Sequence, residues 1–220
     1  MTIYPAILSA DMSVVCQQLE SVSQFPGCDV VHIDIIDGFF VDNHTIGPAD
    51  LIEANFGELQ CDVHLMTIDP EDAVNELIEY KETLPIRTII AQVEKMGSEQ
   101  SFVDAVKRQE WQVGLSLDVD SAVESINDAI LSQLQVVQVM GVQAGLQGQS
   151  FIPRTLALVD ELVQLRKHNG FGFVVAIDGG IKADLLAQLR THQLDSATIG
   201  SFLWHSTDPL TQWMTMQEKA

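Results

Sequence analysis

Apolar runs of strand length recur along this chain about every 25 to 30 residues, each bounded by polar, Gly or Pro positions. They cover residues 4–9, 30–35, 60–65, 86–93, 112–117, 136–142, 172–177 and 197–199. Most are near-continuous rather than strictly alternating, which is how parallel strands buried on both faces read. Helix-length segments lie between them. Asp11 caps a first helix whose apolar positions are Val14, Val15, Leu19 and Val22, and Pro48-Ala49-Asp50 opens a second. Further helices are expected over 70–80, 102–109, 121–131, 152–167 and 183–191, and the tail 204–220, with Trp204, Leu210, Trp213 and Met214, reads as the last one. Strand and helix in such alternation predict an α/β protein, a (β/α)8 TIM barrel formed by residues 1–220 as a single domain. A doubly wound open sheet is the alternative, but no Gly-x-Gly-x-x-Gly follows the first strand.

Composition agrees with one large core and narrows the partners. Hydrophobic side chains make up 46% of 220 residues, enough to bury a barrel interior. Met1-Thr2-Ile3-Tyr4-Pro5 has neither a basic nor a long apolar segment, so neither a signal peptide nor a membrane span is expected. Cys16, Cys28 and Cys61 are scattered without Cys-x-x-Cys spacing, which points to a reducing, cytoplasmic setting rather than a disulfide framework. With 11 Lys and Arg against 31 Asp and Glu, the net charge of −20 disfavours nucleic acid and anionic membranes as partners. An anionic substrate therefore has to be held by backbone amides and helix N-termini.

The candidate chemistry sits where apolar runs end. His32 and Asp34 end the second run, His64 the third, and Asp178 the seventh, ahead of Gly179-Gly180. In a barrel these ends form the mouth where active sites lie. His32 and Asp34 share a face because strand side chains alternate, His64 comes from the neighbouring strand, and Asp178 comes from across the ring. Two imidazoles and two carboxylates meeting there make a divalent-metal site with a carboxylate on either side. Plain structural roles remain open for each residue taken alone: a histidine satisfied in the core, an aspartate capping a helix, glycines in a turn.

Longer motifs carry a resemblance. Ile7-Leu8-Ser9-Ala10-Asp11, the block from His32 through Asp37-Gly38-Phe39-Phe40-Val41-Asp42-Asn43 to Pro48, Asp62-Val63-His64-Leu65-Met66, Ile177-Asp178-Gly179-Gly180-Ile181 and Ile199-Gly200-Ser201 together resemble the ribulose-phosphate 3-epimerase family, in order and across nearly the whole chain. The resemblance implies that His32, Asp34, His64 and Asp178 bind one divalent ion, zinc or iron(II) first and manganese or cobalt as alternatives. It further implies that Asp34 and Asp178 are the acid and base. Ser9, His64, Met66 and Met140 are placed at the substrate, a phosphorylated ketose. Gly145, Leu146, Gln147, Gly148, Gly179, Gly180, Gly200 and Ser201 are placed around its phosphate, and assembly into a homo-oligomer is implied as well.

The chain departs from the family pattern at Ile36, Phe39, Asp42, Gln92 and Asp118-Val119, where Met, His, Pro, His and Asn-Pro are usual. The largest departure is Met140-Gly141-Val142-Gln143-Ala144-Gly145-Leu146-Gln147-Gly148-Gln149, in place of Met-Thr-Val-x-Pro-Gly-Phe-Gly-Gly-Gln. Three expectations follow: 3-epimerisation of ribulose 5-phosphate, the same chemistry on another ketose phosphate, or a sugar-phosphate-binding relative with little activity. A Schiff-base aldolase needs a lysine at a strand end, and only Lys95 comes near one.

Overall fold

Eight parallel strands close on themselves in chain order in a computed structural model that describes residues 1–220. They are β1 (Thr2–Ile7), β2 (Val30–Ile36), β3 (Gln60–Met66), β4 (Ile86–Gln92), β5 (Gln112–Leu117), β6 (Val136–Met140), β7 (Val174–Asp178) and β8 (Ser196–Ile199). Closure comes from β1 pairing with β8, Thr2 opposite Ser196 through Pro5 opposite Ile199. The helices are α1 (Met12–Val22), α2 (Pro70–Ile78), α3 (Glu99–Lys107), α4 (Asp128–Leu131), α5 (Thr155–Asn169), α6 (Leu186–Thr191), α7 (Ser201–Trp204) and α8 (Pro209–Lys219). None is long and apolar enough to cross a membrane.

Alternation along the strands splits the core into two layers. Val31, Ile33 and Ile35 of β2, Cys61, Val63 and Leu65 of β3, and Val137 and Val139 of β6 face outward and pack with the helices in one large cluster. The other set points at the barrel axis, and it is polar: His32, Asp34, Asp62, His64, Thr88, Gln92, Ser116, Gln138, Asp178 and Thr198 are all buried. Ile90, Val136 and Ala176 form a small apolar patch there, and Ile36, Met66 and Met140 belong to another at the mouth. A barrel filled this way commits its inside to hydrogen bonding, so each inward polar group needs a partner.

Several expected boundaries shift, each for a local reason. Strand β1 is displaced two residues toward the N-terminus, because Asp11 accepts from Ser13 N (2.8 Å) and Ser9 Oγ accepts from Asp11 N (3.0 Å), so that Ser9 belongs to the turn into α1. The helix expected after Pro48 shortens to a 3-10 turn, Ala49–Glu53, with Leu51 as its single buried residue. The stretch expected as one helix over 121–131 breaks into a 3-10 turn, Val123–Ser125, and the one-turn α4. The Asn127 side chain accepts from Ala129 N (2.9 Å) and starts a new helix instead of continuing one. Helix α6 begins later than expected, at Leu186. The helix expected in the tail starts at Pro209, after the one-turn α7 has ended at Trp204. Asp208 caps α8 through Thr211 N (3.1 Å), Pro209 takes its first position, and Trp213 stacks on Phe25 at 5.2 Å.

Candidate active site

His32 and Asp34 both turn inward from β2, and the register of the sheet brings their partners to them. Asp34 pairs with His64 of β3, and Met140 of β6 pairs with Asp178 of β7. His64 Nδ1 lies 2.9 Å from Asp34 Oδ1 and 3.7 Å from Asp178 Oδ2, and His32 Nε2 lies 3.4 Å and 3.8 Å from the same two oxygens. One ligand atom from each of the four residues falls within 4.8 Å of all the others. None of the four is more than 6% exposed.

The donor set fits a divalent cation. His32 Nε2 is buried and makes no aligned hydrogen bond despite its closeness to Asp34. An orphaned ring nitrogen beside two carboxylates leaves lone pairs directed at one space, which a cation satisfies. Two imidazoles and two carboxylates suit zinc, iron(II), manganese or cobalt alike.

Without a cation between them, His32, Asp34 and Asp178 titrate far from their ordinary values. Burial pulls the His32 imidazole down, but the Asp34 carboxylate beside it and the charges of Asp178 and Asp62 outweigh that and hold it at about 9. The carboxylates part company. Burial raises Asp34, yet the bonds and charges of His32 and His64 prevail and hold it well below the usual carboxylate range. Asp178 is pushed up to about 6 by burial and then by the Asp34 charge, against the opposing pull of the two histidines and of Gly179 N–H.

Above this cluster opens a cleft lined by Asp34, Asp178, Met66, Met140, Gly145, Leu146, Gln147, Gly148, Gly179, Gly180, Gly200 and Ser201, all expected from the sequence. His64 lies beneath its floor, fully buried. Ser9 does not line it. With β1 ending at Ile7, the inward positions are Ala6, which pairs with His32, and Leu8 just beyond the strand, while the Ser9 hydroxyl is engaged with Asp11. Ala6, Leu8, Val142, Gln149 and Ile181 complete the lining and were not foreseen. For Ala6 the signal existed, since period-two alternation from Tyr4 selects it once the strand end is set correctly.

No Lys, Arg or His lines the cleft, so an anion bound there would have to be held by backbone N–H groups and neutral side chains. Gly180 can only be glycine: its φ is +73°, and a Cβ would stand 2.8 Å from Phe151 N and Cα.

The loop after β6 covers the cleft and is tied down from several sides. Asn43 Nδ2 donates to Gly145 O at 2.6 Å, Gln147 Nε2 donates to Leu8 O at 2.6 Å, and Asp118 Oδ1 accepts from Ala144 N at 3.2 Å. Gly145, at φ +91°, lets Val41 approach so closely that a Cβ would lie 2.2 Å from its Cγ1. The loop after β2 is itself braced. Lys95 Nζ donates to Phe40 O at 2.6 Å, so the lysine at the end of β4 is a strut between loops rather than a nucleophile in the cleft. Thr45 Oγ1 accepts from Ile36 N (2.9 Å) and donates to Asp34 O (3.0 Å), pinning the strand end that carries Asp34. Single side chains such as Thr45 give no signal in a sequence, because their partners are distant in it.

Comparison with known proteins agrees with this geometry. The model of the ribulose-phosphate 3 epimerase family matches residues 2–204. The ribulose-phosphate 3-epimerase of Treponema pallidum (strain Nichols) is 30% identical over 207 residues, 94% of this chain and 92% of that protein. The one from Escherichia coli (strain K12) is 29% identical over 208 residues, 94% of this chain and 90% of that protein. Among solved structures, 3-hexulose-6-phosphate synthase from Salmonella typhimurium superposes with a TM-score of 0.71 at 14% identity, covering 100% of this chain and 98% of that one, a likeness of fold alone.

Proposed function

Since the chain belongs to the ribulose-phosphate 3-epimerase family and is thereby an isomerase-class enzyme, we propose that it interconverts D-ribulose 5-phosphate and D-xylulose 5-phosphate through Asp34 and Asp178. The observation that carries this reading is the pair of buried carboxylates meeting at one cluster of ligand atoms with their proton affinities driven apart. Inversion next to a ketone requires one group to remove the C3 proton and another to return one on the opposite face. Asp34, held ionised by the two histidines, is poised as the base. Asp178, whose carboxyl is raised to about 6 in the metal-free cluster, is the more readily protonated of the two and is poised as the acid. In the reverse direction the roles exchange.

His32, Asp34, His64 and Asp178 would together hold one divalent ion. When bound, that ion supplies the positive charge that stabilises the enediolate formed after proton removal. The apolar cover of Leu8, Met66, Met140 and Leu146 keeps water from competing for the proton, and the glycine turns orient the phosphate. A second reading, the same chemistry on another ketose phosphate, is favoured by Gln147, whose side chain crosses the mouth where the family pattern has glycine.

The test is deuterium uptake at C3 of D-ribulose 5-phosphate in D₂O, with metal-loaded protein and a chelated control. Metal-dependent uptake with formation of xylulose 5-phosphate is expected, and Asp34→Asn and Asp178→Asn are each expected to lower turnover by at least about 100-fold. Uptake only with a hexulose phosphate would shift the conclusion to the second reading. Silence with every ketose phosphate would leave a sugar-phosphate-binding relative.

A further inference from the structure

We propose that Gln92, at the end of β4, is a positioning residue that fixes His64 in the one tautomer able to bind a metal, an inference that rests on the metal centre described above. His64 turns Nδ1 toward Asp34 and Asp178, so this is the nitrogen whose lone pair a cation would take. Nδ1 is free only if the proton sits on Nε2. Nε2 faces Gln92 at 3.2 Å, and the orientation of that carboxamide decides whether Nε2 donates or accepts.

The neighbours of Gln92 make the choice. Its other amide atom lies against Ser116 O (3.2 Å) and Glu94 Oε2 (2.9 Å), both of which only accept. An oxygen placed there would oppose two acceptors, so the amide nitrogen must occupy that end and the Gln92 oxygen must face His64. That oxygen also accepts from Ser116 Oγ at 3.2 Å. His64 Nε2 therefore carries a proton that it donates to Gln92, so Nδ1 is the nitrogen left to face a cation bare when one is bound.

The other amide in contact, Gln138, cannot make this selection, because its nitrogen lies 3.4 Å from Nδ1 and 3.5 Å from Nε2, long to both and nearly equal. Glu94, in turn, is held by Asp118 N (2.7 Å) and Ser121 Oγ (2.6 Å). A continuous line of hydrogen bonds thus runs from the covering loop at Ala144 through Asp118, Glu94 and Gln92 to a metal ligand. Gln92 is fully buried, so water does not substitute for it at His64.

The experiment compares wild type with Gln92→Leu and Gln92→His. Zinc affinity is read by competition with a chromophoric chelator, and the His64 tautomer is read from long-range ¹H–¹⁵N spectra with and without zinc. In the wild type Nε2 is expected to be protonated in both states, and Nδ1 to be bare once zinc is bound. Gln92→Leu is expected to weaken zinc binding by about ten- to a hundredfold and to lose the fixed tautomer. Gln92→His offers one ring nitrogen that accepts from His64 Nε2 and one N–H for the acceptors at Ser116 O and Glu94 Oε2, so it is expected to restore both and decides the matter if the leucine variant does not fold. Equal zinc affinity in all three proteins, or zinc on Nε2 in the wild type, overturns the proposal. Wild-type protein that binds no divalent ion overturns the metal centre instead, and the metal-free spectra still report whether Gln92 sets the tautomer.

Discussion

Asp34 and Asp178 are the same functional group in opposite surroundings, and the difference lies in their nearest neighbours. Asp34 Oδ1 sits 2.9 Å from a ring nitrogen of His64, whereas the nearest ring nitrogen to Asp178 Oδ2 is 3.7 Å away, so charge stabilisation goes to the first and burial prevails at the second. His32 completes the set, raised from an ordinary 6.5 to about 9. A folded-state affinity above the unfolded one means that the native protein binds more protons between those values. The stability contribution is then fully present below pH 6.5 and is lost as pH rises through about 9. Chelated protein should accordingly lose up to on the order of 3 kcal/mol between pH 6.5 and 9.5, measured by urea unfolding at a series of pH values. His32→Gln should flatten that dependence. Metal-loaded protein should show no such loss, because metal binding requires the neutral ring and strengthens as protons leave.

The elements that matter most to function are the rim loops, which are stitched to one another more than to the barrel. The loop after β2 meets the loop after β6 through Asn43 and Gly145, the loop after β4 through Lys95, and the loop after β3 through Asp37 Oδ2, which accepts from Ile68 N at 2.9 Å. Such a ring holds the cover of the cleft without any regular secondary structure, using side-chain amides and one lysine as ties. Removing one tie should loosen the cover rather than the fold. Asn43→Ala deletes a bond worth about 1 kcal/mol, so KM for the ketose phosphate should rise about fivefold while the melting temperature stays near that of the wild type. Faster proteolytic nicking within residues 143–150 should accompany it. An unchanged KM together with unchanged nicking would show that Asn43 is not a tie.

For the molecule as a whole, four buried candidate ligands drawn from β2, β3 and β7 would make a bound metal a clamp across the ring. A ligand that binds only the native state stabilises it by mass action. Zinc at about 100 times its dissociation constant should add about 2.7 kcal/mol and raise the melting temperature by roughly 5 to 10 °C for a chain of this length. Calorimetry with zinc and with a chelator measures it, and a shift within error would place the metal outside the barrel. The opposite end of the barrel is closed by a different device: Arg87 makes a two-pronged pair with Asp62 (2.8 Å and 2.5 Å) and lies over the Tyr4 ring at 5.0 Å. The charge at the bottom of the barrel is thus neutralised locally, and the net charge of −20 lies elsewhere in the molecule.

The sequence by itself determined the barrel, its strand order and the identity of the four candidate ligands, because each of these depends on local periodicity and on residue types at strand ends. The eight strands were legible as apolar runs, and His32, Asp34, His64 and Asp178 as the polar groups that interrupt or end them. Boundaries were less legible where a side chain overrides periodicity, as Asn127 does by starting α4 and Asp208 by starting α8. Only the tertiary structure decided that Ala6 rather than Ser9 faces the cleft, that Asp34 and Asp178 hold protons so differently, and that Thr45, Gln92 and Glu94 support the ligands. Those facts depend on distances of a few ångströms between residues 11 to 30 or more positions apart in the chain. Hydrogen bonds and buried charges respond to such distances, whereas hydrophobic patterning does not.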